Sequence, residues 1–156
     1  MIALLFALSI ASTQAAGASQ DAPDWRMAIE EGDWTFAGES EGIVSFGKRR
    51  PADPSTVLFR YEYRDDQFSR SVPRLVQAYP VYAQARSSTA VVEIDCERRR
   101  RRALEETLYR GRNMSGDVLL TRAESRRWIT PESGSVGYQQ LAWACPSNGT
   151  AAGDSH

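Results

Sequence analysis

The chain has 156 residues, 42% hydrophobic and 25% charged, which suits one globular domain once a leader is removed. A net charge of −1 excludes a bulk attraction to nucleic acid or anionic membrane. The only histidine is the last residue, His156, so histidine-dependent chemistry has almost nothing to work with.

Met1 to Ala18 carries no charged side chain, and Ile2 to Ala11 is an apolar run of ten, too short to span a bilayer. The small residues in Thr13-Gln14-Ala15 and Ala16-Gly17-Ala18 suit signal peptidase, so residues 1–18 are expected to be a signal peptide. The usual opening Lys or Arg is missing, which a start codon placed a few residues too late would explain. No cysteine lies near the cleavage region, which disfavours a lipid anchor, and no other segment could span a membrane. The expected location is the periplasm or cell surface of a Gram-negative bacterium.

Ser19 to Asp33 is polar and acidic and reads as a flexible lead-in, with Trp25, Met27 and Ile29 able to form a short strand. Trp34 to Ser40 alternates large and small or polar residues, a strand signal. Glu41-Gly42 turns the chain, and Ile43 to Phe46 returns as a second strand. Gly47 to Pro54 is a loop by its Gly and Pro content. Ser55 to Arg64 is the clearest strand: Val57, Phe59, Tyr61 and Tyr63 share the core face, and Leu58, Arg60, Glu62 and Arg64 share the other.

Asp65 to Ser88 reads as an irregular insert with some extended structure, because Pro73 and Pro80 interrupt any helix. Thr89 to Cys96 is again a strand, with Ala90, Val92, Ile94 and Cys96 on one face. Glu97 to Arg112 stays open. Leu104, Leu108 and good helix formers suit a helix, while strand alternation would group Arg102, Leu104, Glu106 and Leu108. Gly111 to Gly116 is a turn and Asp117 to Thr121 a short strand.

The last element is a helix. Pro131-Glu-Ser-Gly-Ser135 offers a Ser cap, after which Tyr138, Leu141, Ala142 and Cys145 follow the spacing of one buried face. Pro146 ends it, and Ser147 to His156 reads as a disordered tail. In an oxidising compartment the two cysteines, Cys96 and Cys145, are most simply a disulfide, pinning the helix to the sheet; two free buried thiols are the alternative.

Few motifs suggest chemistry. Gly38-Glu-Ser-Glu-Gly42 has the spacing of a nucleophile elbow but lacks a base for Ser40, and reads as a hairpin turn. Glu97-Arg-Arg-Arg-Arg-Arg102 could clasp an anion. On a strand, however, Arg98, Arg100 and Arg102 face away from Arg99 and Arg101, which reads as a solvated edge paired with nearby carboxylates. Glu105-Glu106 and Glu30-Glu31 are neighbours that would point to opposite faces of a strand, so neither forms a catalytic dyad. No spacing of His, Cys, Asp or Glu suggests a metal site. Trp34, Trp128 and Trp143 fit the core, and the sequons at Asn113 and Asn148 carry little meaning in a bacterium. No catalytic residue, metal ligand or cofactor is expected.

Ala90-Val-Val-Glu-Ile-Asp-Cys96, an Arg-rich stretch, Leu104 and Tyr109 are followed by Trp128-Ile-Thr-Pro-Glu-Ser-Gly-Ser-Val-Gly137 and Cys145. This order is similar to the surface-adhesin protein E-like domain, over Trp34 to Cys145. The resemblance implies an α+β, mainly β fold: an antiparallel sheet of about six strands with a C-terminal helix packed across it. It also implies that Glu97 to Tyr109 is a strand paired with Thr89 to Cys96. The domain would span residues 34–146. The function implied is that of an exported, non-enzymatic, adhesin-like module whose partner is a protein or an envelope polymer and not nucleic acid. The alternative is a structural or inhibitory periplasmic protein with no external ligand.

Overall fold

Six strands pair in sequence order in the computed structural model, which describes residues 24–40, 42–64, 73–124 and 126–145. They are β1 (Thr35–Ser40), β2 (Ile43–Arg49), β3 (Thr56–Tyr63), β4 (Ser87–Asp95), β5 (Arg100–Tyr109) and β6 (Val118–Ala123). Each is antiparallel to the next. The expected signal peptide and C-terminal tail lie outside the described residues.

The alternation of β3 sets the front face of the sheet. Val57 and Phe59 pack there with Ala90 and Val92 of β4, and are covered by the helix α2 (Val136–Ala144). Ser135 caps α2 by accepting a hydrogen bond from the Tyr138 backbone N–H. The helix buries Gln140, Leu141 and Ala144, while Tyr138 and Ala142 of the expected face are exposed. The face is rotated because Trp143 packs edge-on against Phe59, at 5.8 Å between ring centroids, and a buried polar cluster on the sheet receives Gln140.

A second cap covers the other half of the front face. Pro73 and Pro80 begin helical segments instead of breaking them: α1 (Pro73–Ala78) and a 3₁₀ turn (Pro80–Gln84). A proline in the first turn gives up no helical hydrogen bond, which is why the expected extended insert is helical where it is described. Tyr82 and Ala85 pack on Tyr63 and Leu108, forming a cluster separate from the one under α2.

The back face is not solvated as the alternation suggests: Arg60 is 2% exposed and Glu62 0%. The chain from Asp24 to Trp34 lies over them. Where a short strand was expected, Trp25–Ala28 is a 3₁₀ turn held by Asn113, whose side chain donates to Ala28 O (3.1 Å) and accepts from the Glu30 N–H (3.0 Å). The Arg60 guanidinium donates to Glu30 O at 2.6 Å and stacks on Trp34 and Phe46.

Cys96 and Cys145 form a disulfide with Cα atoms 5.5 Å apart, tying the end of β4 to the end of α2. Cys96 is exposed and does not face the core. β4 ends at Asp95 and the chain turns over residues 96–99, so Cys96 has left the strand's alternation.

Candidate functional site: a cavity between the two caps

The two caps leave part of the sheet's front face between them uncovered, and there a cavity of about 300 Å³ opens. Ala90 of β4 and Ala103 of β5 contribute only methyl groups to it, and that small size is what leaves the space. Tyr61 and Tyr63 enter from β3 and Tyr82 from the 3₁₀ turn, so three phenol rings share the wall with aliphatic and charged side chains.

Arg101 of β5 lines the cavity on the α2 side. Its Nη1 donates to Gln140 Oε1 and its Nη2 to the Tyr61 hydroxyl at 3.1 Å. Gln140 in turn donates through Nε2 to Ser45 Oγ at 2.5 Å. This chain of neutral partners joins β2, β3, β5 and α2, and it explains why a glutamine occupies the buried face of the helix.

On the other side Glu106 of β5 and Arg122 of β6 are cross-strand neighbours. Arg122 Nη2 reaches Glu106 Oε2 at 3.2 Å and Glu124 Oε1 at 2.7 Å, and its guanidinium stacks on Tyr79 and Tyr82. The Tyr82 hydroxyl donates to Glu106. Burial raises the Glu106 carboxyl above its ordinary range, against the opposing effects of the Tyr82 hydrogen bond and of Arg122. Tyr82 is shifted upward too, first by burial and then by Glu106, so its proton stays on the phenol.

The residues singled out by the sequence mostly hold structure. Gly38 and Ser40 lie in β1, where a bulge interrupts the register between Phe36 and Gly38. Gly38 has φ +150°, and a Cβ there would meet Gln139 Cβ at 2.6 Å. Gln139 lies against this strand and bonds both main-chain groups of Glu39, accepting from its N–H (3.0 Å) and donating to its carbonyl (2.8 Å). Ser40 ends the strand, exposed. Glu105 and Glu106 do part: Glu105 is exposed and Glu106 faces the cavity.

Of the arginine run only Arg100 to Arg102 lies on β5 and alternates; Arg98 and Arg99 sit in the turn over residues 96–99, and β5 lies between β4 and β6, so the run is not the sheet edge expected. Arg100 and Arg102 stack on Trp128, at 4.7 and 4.6 Å from the ring centre, and pair across the strand with Asp95 (2.8 Å) and Glu93 (2.6 Å). The Arg98 backbone N–H, with Arg100, holds Asp95 below the usual carboxylate range. Arg101 turns inward, and alternation was the one signal that could have found it. Among the described residues no group of three or more His, Cys, Asp or Glu could hold a metal ion. No helix among them is long and apolar enough to cross a membrane.

Neither a search of curated proteins nor one of solved structures finds a match. The family model for surface-adhesin protein E matches residues 47–146, from the buried glycine of β2 to just past Cys145. With the six-stranded sheet, the C-terminal helix and the disulfide in place, the chain belongs to the surface-adhesin protein E family.

Proposed function

We propose that this is an exported, non-enzymatic module of the bacterial envelope or surface that binds another macromolecule, a protein or an envelope polymer. Family membership is the observation that carries the reading. Two features support it. Tyr82, Arg122 and Glu106 on one side of the cavity are committed to one another, an arrangement that suits a rigid scaffold better than proton transfer. The disulfide suits an oxidising compartment and fixes the helix against the sheet for a binding role.

In this reading the first 15 to 18 residues are removed on export, residues 34–146 form the working domain, and residues 147–156 are a tail. Two experiments test it. Mass spectrometry of the periplasmic fraction should find the shortened N-terminus; an intact one sinks export. The oxidised protein should be retained by immobilised extracellular-matrix proteins or by envelope polymer. Retention by neither would favour a structural role inside the envelope.

A further inference from the structure

Arg101 is 9% exposed, yet no acidic side chain lies within ion-pair distance of it among the described residues. Its hydrogen bonds go to a side-chain amide and a phenol, both neutral, and its buried Nε–H has no partner. A buried cation with only neutral neighbours and a free donor is costly unless an anion completes it. This one borders a cavity of about 300 Å³, at the lower limit of small-molecule sites.

The rest of the lining narrows the anion. Arg122 is already bridged by Glu106 and Glu124, so it supplies no uncompensated charge, and those carboxylates repel a multiply charged ligand. The charged lining residues are Arg101, Arg122, Glu106 and Glu124, which balance overall, and Arg101 is the arginine among them with no carboxylate partner among the described residues. Tyr61, Tyr63, Ile43 and Leu75 offer ring and aliphatic surface for an apolar body. A guanidinium recognises a carboxylate through paired N–H donors, and Arg101 has used one hydrogen on each of Nη1 and Nη2, which leaves a second on each, while its Nε–H is shut away from solvent.

From this we infer that the cavity is a binding site for a small organic monocarboxylate with an aromatic or branched apolar body, its carboxylate on Arg101. The inference does not depend on the function proposed above.

The test uses the full-length oxidised protein and three probes: 3-phenylpropionate, its neutral amide 3-phenylpropionamide, and inorganic phosphate. Binding is followed by calorimetry and by chemical-shift changes at the Ala90 and Ala103 methyls. The carboxylate should bind at least about tenfold more tightly than the amide, the difference expected of a hydrogen bond to a charged group, and phosphate should not move the methyls. Arg101→Gln should remove that preference. Because that variant also loses core hydrogen bonds, Ala103→Leu serves as a second variant: it fills the space, leaves Arg101 in place, and should abolish carboxylate binding while the melting temperature holds. No binding of 3-phenylpropionate at 10 mM (about tenfold above a 1 mM Kd), equal binding of acid and amide, or unchanged binding in folded Ala103→Leu would each overturn the inference.

Discussion

Trp143 of α2 stands directly over Gly47 of β2, with no room for a side chain between them: a Cβ on Gly47 would meet the indole Cη2 at 2.6 Å. The contact sets how closely the helix approaches the sheet, and the backbone of β2 cannot yield because it is bonded on both sides. Gly47→Ala should therefore lift α2 and cost about 1–3 kcal/mol, the usual range for overpacking. Urea unfolding would measure the loss, and a red shift in tryptophan emission would report the helix moving. Unchanged stability would mean that the helix is loosely held.

The disulfide provides the other restraint on α2. It closes a separation of 49 residues, for which chain-entropy arguments give about 4 kcal/mol as an upper figure. Cys96→Ala and Cys145→Ala should each cost about 2–4 kcal/mol, and the double variant little more than either. Losses that simply add would show that the two residues act separately.

Glu62 gives the fold a pH dependence of defined sign. Its carboxyl is raised to about 7, chiefly by burial, against the opposing pull of Arg60, of the Asn113 N–H at 2.9 Å and of Arg112. Between the ordinary glutamate value of 4.5 and 7 the folded chain holds a proton that the unfolded chain has lost. This contribution is thus complete below pH 4.5 and fades as pH rises through 7, by on the order of 3 kcal/mol. Glu106 is shifted the same way, so the readout is a difference. Glu62→Gln should flatten the melting profile between pH 4.5 and 7.5 relative to the parent. Parallel profiles would remove Glu62 as the source.

The nucleophile-elbow spacing in β1 separates into one structural residue and one neutral one. Ser40→Ala should change stability by no more than about 0.5 kcal/mol and leave any ester turnover as it was. Gly38→Ala should cost about 1–3 kcal/mol, because the new Cβ has neither the backbone conformation nor the space. A loss of esterase turnover in Ser40→Ala would overturn the non-enzymatic reading.

Periodicity was most informative where one face of an element meets apolar partners. The alternation of Val57, Phe59, Tyr61 and Tyr63 identified the front face correctly, and Ser135 marked the start of α2. It misled wherever polar residues are buried against other polar residues. Arg60 and Glu62 look like a solvent face until Trp34 and the Asn113 loop cover them, and those partners are distant in sequence. Gln140 fails the apolar spacing because its partner is an inward arginine, a match that no single helix reveals. The pairing of β5 with β4 came from family resemblance, since its composition suits a helix. The cavity had no local signal, because it exists only where two caps fail to meet.

The amide of Gln139 takes both outward main-chain groups of Glu39, as a neighbouring strand would, without offering a backbone of its own beyond them. The sheet order ends at β6 on the other side, where Val118 is 58% exposed. On the β1 side, one residue's outward pair of main-chain groups is already bonded in this way. A strand from another copy that approached β1 would find that pair taken, so Gln139 works against edge-to-edge growth at this position. In polymer terms, Gln139 acts at Glu39 as a chain stopper carried by the chain itself.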